Sequence, residues 1–163
     1  MKCKITKLEN FSGRKASLYS VYVEEKNKTL FEEFLEENRN LLINEIKDIL
    51  IRLKTIGEKT GVKEEFFKLR EGTLGDGICA LYDIPNKKLR LYCIRYGSDI
   101  IIIGGGGVKP KNIKALQENE KLTKENYLLR KISKEITTKI INGELKYSSD
   151  GLDFIGELNF EIE

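Results

Sequence analysis

A chain of 163 residues is long enough for one domain to bury most of its apolar surface, and its net charge of +3 is close to neutral. The absence of histidine excludes Ser-His-Asp and Cys-His triads and histidine-based metal sites. The chain has three cysteines without CxxC spacing, no apolar run near 20 residues and no signal-peptide core. These features predict one cytoplasmic domain, residues 1–163. We expect reduced thiols, no metal, no other cofactor and no membrane association.

The first part of the chain predicts two strands and two helices. Residues 2–8 and 17–24 alternate apolar and polar side chains around a turn, which indicates a hairpin. Thr29 and Glu32 have the spacing of a capping box that opens a helix. A second helix is predicted at about 41–59, because apolar residues recur there at spacings of three and four: Leu42, Ile46, Ile49, Leu50, Leu53 and Ile56.

The middle of the chain predicts a β-hairpin. Residues 89–96 and 100–103 are rich in β-branched, aromatic and aliphatic side chains and flank a Gly-Ser-Asp turn, so they should pair as antiparallel strands. In the first run, period-two alternation puts Arg90 and Tyr92 on the same face. The unbroken isoleucines of the second run are typical of a central strand that is buried on both faces.

The last part of the chain predicts a loop, two helices and a terminal hairpin. We expect Gly104–Gly107 to form a loop, followed by helices at about 110–119 and from Thr123 onward. Asp150-Gly151 indicates a hairpin turn within 144–163, a segment with six acids and one lysine. This grouping of strands and helices favours an α+β fold over a parallel βαβ sheet.

Basic and aromatic residues are concentrated around the central hairpin. Residues 86–114 contain seven lysines and arginines and one acid, although the whole chain is near neutral. Arginine planes and tyrosine rings stack on unpaired bases while cations hold phosphates, so this composition favours RNA binding. The residues concerned are Arg90, Tyr92, Arg95, Lys109, Lys111 and Lys114. The alternative is ordinary surface charge with half-buried tyrosines. The glycines match neither the P-loop nor the dinucleotide-binding pattern.

The order of these segments resembles a known family. The order is an extended segment, two helices, a strand, the run LRLYCIRYG, an apolar strand, a glycine-rich exit, Val-Lys and a helix. This order is similar to that of the RelE/HigB/ParE superfamily of toxins from type II toxin–antitoxin systems, especially its HigB-like, phage-associated branch. The resemblance covers about residues 17–137. It implies a small twisted antiparallel sheet packed on two N-terminal helices, with C-terminal helices and an extra acidic terminal hairpin at about 144–163.

The resemblance also implies a function. Many members of that superfamily cut mRNA in the ribosome, several branches without histidine, and a cognate antitoxin protein neutralises them. The catalytic residues implied here are Arg90, which offsets charge on a nonbridging oxygen, and Lys109, which assists the leaving oxygen. Tyr127 is the implied base, and neighbouring cations would have to lower its pKa. A leucine precedes Arg90 where the family motif has an aromatic residue.

Two other functions stay open on the sequence alone. One is a non-catalytic protein-binding module on the same scaffold, as in ParE-like inhibitors. The other is a phage accessory protein in which the basic residues have no role. A further hypothesis concerns the acidic tail, residues 144–163, whose charge would let it lie against residues 87–114 and keep RNA away.

Overall fold

The computed structural model describes residues 1–72, 75–81, 87–110 and 119–163, and these ranges contain ten strands and three α-helices. The helices are α1 (Leu30–Asn38), α2 (Ile43–Thr55) and α3 (Glu120–Ile141). The strands are β1 (Lys2–Lys7), β2 (Ser17–Val23), β3 (Lys28–Thr29), β4 (Phe67–Lys68), β5 (Ile78–Leu81), β6 (Leu89–Tyr96), β7 (Ile100–Val108), β8 (Leu145–Tyr147), β9 (Phe154–Gly156) and β10 (Asn159–Glu161).

Eight of these strands form one mixed sheet in the order β10-β1-β2-β7-β6-β5-β4, with β3 beside β2. The predicted hairpin of β6 and β7 is confirmed, with Arg90 opposite Gly107 and Tyr96 opposite Ile100. β2 and β7 run parallel, and Ser17 lies opposite Ile100. The prediction of a small antiparallel sheet is therefore wrong. After β2 the chain passes through α1, α2 and four more strands, and it then returns to place β7 directly against β2.

Helices cover both faces of the sheet. Phe31, Phe34 and Leu53 of α1 and α2 belong to one apolar core, and Leu129 and Ile132 of α3 belong to the other. The expected packing of the sheet on two N-terminal helices is wrong as well, because α1 and α2 follow the first strands and α3 forms a second helical layer. The isoleucines of β7 are 0% exposed, as expected for a central strand.

Local signals fix the helix ends. The side chain of Thr29 accepts a hydrogen bond from the Glu32 N–H at 3.0 Å, which confirms the predicted cap of α1. α2 gives way to a π-helical turn at Ile56–Thr60, so the predicted second helix is shorter than expected. α3 begins at Glu120, capped by Asn119. Most of the helix predicted at about 110–119 lies outside the described residues.

The C-terminal segment divides between two sheets. β8 and β9 pair as a separate two-stranded antiparallel sheet, and β10 joins the main sheet beside β1. Leu145 and Phe154 of the small sheet pack into the core beneath α3. In the part of the chain that the structure describes, no helix is both long and apolar enough to pass through a lipid bilayer.

Candidate functional site

Strand β6 directs Arg90 and Tyr92 toward α3. Alternation along the strand sends Leu91 and Cys93 into the core beneath α1 and α2, whereas Tyr92 and Ile94 enter the core beneath α3. Arg90 is 6% exposed and Tyr92 is 4% exposed. A buried guanidinium is costly unless its donors are paired, so the surroundings of Arg90 decide what it does.

Arg90 lies in a group of polar side chains between the sheet and α3. Glu71, Arg90 and Asn126 lie close enough to the Tyr92 hydroxyl to shift its pKa. Asn126 and Arg130 of α3 also donate hydrogen bonds to the main-chain carbonyl of Glu71. We call this group the buried polar cluster. Its members come from the segment between β4 and β5, from β6 and from α3: Glu71, Arg90, Tyr92, Asn126 and Arg130.

The buried polar cluster holds most of the unpaired buried polar atoms that the described residues contain. Seven buried side-chain nitrogen and oxygen atoms lack a hydrogen-bond partner there, and five of them belong to the cluster. They are Glu71 Oε1, Arg90 Nε, Arg90 Nη1, Asn126 Oδ1 and Arg130 Nε. Glu71 Oε1 has an ion pair with Lys68 Nζ at 3.5 Å, and each of the other atoms costs on the order of 1–3 kcal/mol of desolvation unless water or a ligand binds it. Native folds contain few of them, so their concentration at one place marks a candidate site for bound water or a polar ligand.

Hydrogen bonds tie α3 to the segment that carries Glu71. Asn126 Nδ2 donates to the Glu71 carbonyl at 2.8 Å, and Arg130 Nη2 donates to the same oxygen at 3.4 Å. One turn further along, Ser133 Oγ donates to the Asp76 carbonyl at 2.7 Å. α3 thus covers the cluster through main-chain contacts, which leave the side chains of Glu71 and Arg90 beneath it.

The protonation state of Tyr92 follows from its burial. Desolvation raises the pKa of this phenol above its ordinary value, and the charge and hydrogen bond of Arg90 oppose the shift only in part. Tyr92 is therefore a neutral phenol at neutral pH. It can donate a proton or a hydrogen bond, but it does not act as a base there.

Three of the four consecutive glycines, Gly104, Gly105 and Gly107, face side chains of α3, whereas Gly106 faces the Arg90 carbonyl of β6. All four continue strand β7 to Val108, so the expected loop at Gly104–Gly107 is wrong. A Cβ on Gly104 would lie 2.9 Å from Leu129 Cδ1, and one on Gly107 would lie 3.1 Å from Lys121 Cγ. Only residues without side chains allow the helix to approach this closely.

Lys109 lies at the same end of the sheet as Arg90. Its N–H donates to the Lys88 carbonyl at 2.7 Å, one residue beyond the pairing of Leu89 with Val108. The two predicted catalytic cations are thus on adjacent strand ends. Lys111 and Lys114 lie outside the described residues.

Two predicted site residues lie elsewhere. Tyr127 is 54% exposed on the outer side of α3, with the Arg130 guanidinium 4.9 Å from its ring centre. Arg95 is half-buried on the opposite side of β6 from Tyr92, and its Nη1 is 3.8 Å from Glu64 Oε1. The structure therefore brings Arg90, Tyr92 and the strand end at Lys109 together, and it separates Tyr127 and Arg95 from them.

Sequence reasoning missed Glu71, Asn126 and Arg130. A signal for Asn126 was present, because it occupies a core-facing position of α3 between the buried residues Leu122 and Leu129. A polar residue within an apolar helical stripe indicates a buried polar contact. No comparable local signal marks Glu71, which lies 55 residues before Asn126 in the chain.

The acidic tail uses its charges away from the central hairpin. Asp153 pairs with Lys7 of β1 at 2.7 Å, and Glu144 approaches Lys139 of α3 at 3.8 Å. The contacts of the tail with β6 are between rings, such as Phe154 with Tyr96 at 5.6 Å. These pairings give no support to the hypothesis that the tail lies on the basic segment through charge.

Comparisons with models of protein families, with curated proteins and with solved structures found no match to this chain. Within the described ranges, no group of three or more cysteines and acidic residues is placed to hold a metal ion. The buried polar cluster and its surroundings are therefore the basis on which a function can be argued.

Proposed function

We propose that this protein is an RNA endonuclease that acts on mRNA in the ribosome, as the toxin of a RelE/HigB-type toxin–antitoxin system. The observation that carries the proposal is the pair of guanidinium nitrogens of Arg90, Nε and Nη1, that lack hydrogen-bond partners, together with the other such atoms of the buried polar cluster. A phosphodiester offers the negatively charged oxygens that such donors lack.

The cluster contains the groups that metal-free RNA cleavage needs. Glu71, whose Oε1 forms an ion pair with Lys68 Nζ at 3.5 Å but has no hydrogen bond, would accept the proton of the ribose 2′-hydroxyl. The 2′-oxygen would attack phosphorus to form a cyclic phosphate, while Arg90 and Arg130 offset charge on the nonbridging oxygens. The neutral phenol of Tyr92 would donate a proton to the departing 5′-oxygen. In this arrangement Tyr92 replaces Tyr127 as the tyrosine that takes part in proton transfer.

Other surfaces fit the same proposal. The exposed ring of Tyr127, backed by Arg130, can stack on a base at the outer side of α3. Lys109 adds a cation at the end of β7 beside the cluster. The expected partners are mRNA on the ribosome and a cognate antitoxin protein, and the expected place of action is the cytoplasm.

The substrate reaches the cluster only if the first turns of α3 move. Arg90, Tyr92 and Asn126 are all more than nine-tenths buried. The first turns of the helix lie on glycines and bury one large apolar side chain, Leu122, while Leu129 and Ile132 anchor the later turns in the core. Opening the helix from its N-terminal end therefore gives up few apolar contacts.

A translation reaction with mapped mRNA ends tests the proposal. Arg90→Met should lower mRNA cleavage by about 100-fold or more, because it removes an oxyanion partner without a large change in volume. Glu71→Gln should lower it by a similar factor through loss of the proton acceptor. The matched control is Arg14→Met, an exposed arginine three residues before the start of β2. That start, Ser17, lies opposite Ile100, about 24 Å along β7 from Gly107, the partner of Arg90, at 3.4 Å per residue.

Unchanged cleavage by Arg90→Met would rule out the role assigned to the cluster. Growth arrest by the wild-type protein without any mRNA cleavage would instead favour the non-catalytic protein-binding module. Circular dichroism of each variant establishes that the fold is intact.

A further inference from the structure

A charged cavity lies beside the buried polar cluster. It has a volume of about 570 Å³, and its described lining includes four glycines, Arg70, Arg95 and Asp76. We call it the arginine cleft. Residues 70–72 separate it from the cluster, because Glu71 belongs to the cluster while its chain neighbours Arg70 and Gly72 line the cleft.

Arg95 brings an incompletely paired cation to the cleft. Its Nε is buried and has no hydrogen-bond partner among the described residues. Its Nη1 approaches Glu64 Oε1 at 3.8 Å, but the Glu64 side chain is 72% exposed, so solvent weakens this ion pair. An arginine held in this way keeps capacity for a further anion.

The backbone around Arg70 is held in an unusual conformation. Arg70 has a φ of 61°, in the left-handed region that a residue with a long side chain rarely adopts. Asp76 Oδ1 accepts a hydrogen bond from the Ile78 N–H at 3.0 Å, which helps to set the return of the chain toward β5. A Cβ on Gly72 would overlap the side chains of Asp76 and Ile78, so Gly72 lies closely against the start of β5. Strained backbone of this kind is typical of ligand-binding segments.

The charges of the cleft define its ligand. Two arginines and one aspartate leave an excess of one positive charge in the described lining. Guanidinium groups recognise phosphate oxygens in a bidentate manner, and glycines allow close approach by a ligand. Within the cleft, the Cα of Arg95 lies about 17 Å from that of Arg90, because Arg95 is five residues further along β6 at 3.4 Å per residue. A few nucleotides of single-stranded RNA span that distance.

We propose that the arginine cleft binds a backbone phosphate of the RNA, a few nucleotides from the bond that the buried polar cluster would cut. This inference rests on the proposed function, since it assigns the same RNA to both places. It gives Arg70 and Arg95 a positioning role and no part in bond cleavage.

Binding of a 2′-O-methyl RNA hexamer, which lacks the attacking hydroxyl, tests the cleft separately from cleavage. Anisotropy titrations of a labelled hexamer from 50 to 200 mM salt give the slope of log K against log salt. Each of Arg70→Gln and Arg95→Gln should reduce that slope by about 0.7 and weaken binding by roughly tenfold, because one phosphate contact is lost. Arg39→Gln, an exposed arginine next to α1, is the control that should change neither.

The outcomes separate the cleft from the cluster. A hexamer that does not bind to the wild-type protein, or slopes that both cleft variants leave unchanged, would overturn the cleft assignment. If the slopes fall as expected but the wild-type protein cuts no mRNA in translation, the cleft stands and the proposed function fails. If Arg90→Met loses cleavage while the slopes do not move, the proposed function stands and the cleft fails.

Discussion

The environment of Arg90 lowers the stability of the fold but suits the binding of an anion. Its Nε and Nη1 are desolvated without partners, and the Tyr92 hydroxyl next to it is neutral. A guanidinium at 6% exposure that served stability would be fully paired. The unpaired donors therefore weaken the fold, and they are explained if an anion occupies the site during function.

We expect Arg90→Met to stabilise the protein while it removes activity. Methionine fills similar space without polar atoms, so the free energy of unfolding should rise by roughly 1–3 kcal/mol. Urea denaturation followed by circular dichroism measures the change, with Arg14→Met as the control for a surface arginine. A loss of stability in Arg90→Met would instead give the arginine a structural role and remove the main support for the site.

Period-two alternation predicted that Arg90 and Tyr92 share a face, and the structure confirms this. The alternation did not predict that α3 covers this face of β6. Glu71 reaches the pair from a segment before β5, and Asn126 reaches it from α3, so these contacts depend on how distant elements pack. A pattern within a short window of sequence does not predict contacts between segments that are far apart in the chain.

Among the elements, the contact of β7 with α3 departs most from expectation. Glycines usually indicate loops, yet Gly104–Gly107 continue a central strand because a helix lies directly on them. The buried isoleucines before them were predicted correctly as a central strand. The parallel neighbour β2 was not predicted, since β2 and β7 pair across α1, α2 and four strands. Apolar runs identify buried strands without identifying their partners.

Two alanine substitutions in this stretch should have different effects. A Cβ on Gly106 would overlap the Arg90 carbonyl, which is rigid backbone, so Gly106→Ala should cost about 2 kcal/mol or more in unfolding free energy. A Cβ on Gly105 would meet the end of the Glu125 side chain, which can move away. Gly105→Ala should therefore cost less than about 1 kcal/mol.

Hydrogen exchange distinguishes the effect of Gly105→Ala on α3. Displacing Glu125 breaks its ion pair with Lys121, which is 2.7 Å long, and loosens the start of the helix. Amides at 120–126 should then exchange several-fold faster than in the wild-type protein, while those at 130–136 keep their rates. Equal acceleration along the whole helix would contradict the idea that α3 opens from its N-terminal end.

Across the molecule, Tyr96 joins three layers and responds to pH. Its ring lies beneath α3, where Ser133 and Thr137 face its hydroxyl, and it contacts Phe154 of the terminal hairpin. Burial raises the pKa of Tyr96 from 10.0 to about 12, and nearby Tyr147 and Asp76 add to the rise, whereas the two α3 hydroxyls oppose it. The folded protein therefore holds this phenol neutral at pH values where the unfolded chain ionises it.

This difference predicts a loss of stability at alkaline pH. Because the pKa of Tyr96 is raised in the folded state, its contribution is complete below pH 10.0 and declines as pH rises toward about 12. The wild-type protein should lose roughly 2 kcal/mol more unfolding free energy over this interval than Tyr96→Phe, which has no proton to release. Urea denaturation at intervals between pH 9 and 12 measures both curves, with Tyr127→Phe on the exposed side of α3 as control. If the Tyr96→Phe curve falls in parallel with that of the wild-type protein, Tyr96 ionises without cost, and the junction of α3, β6 and the terminal hairpin opens before global unfolding.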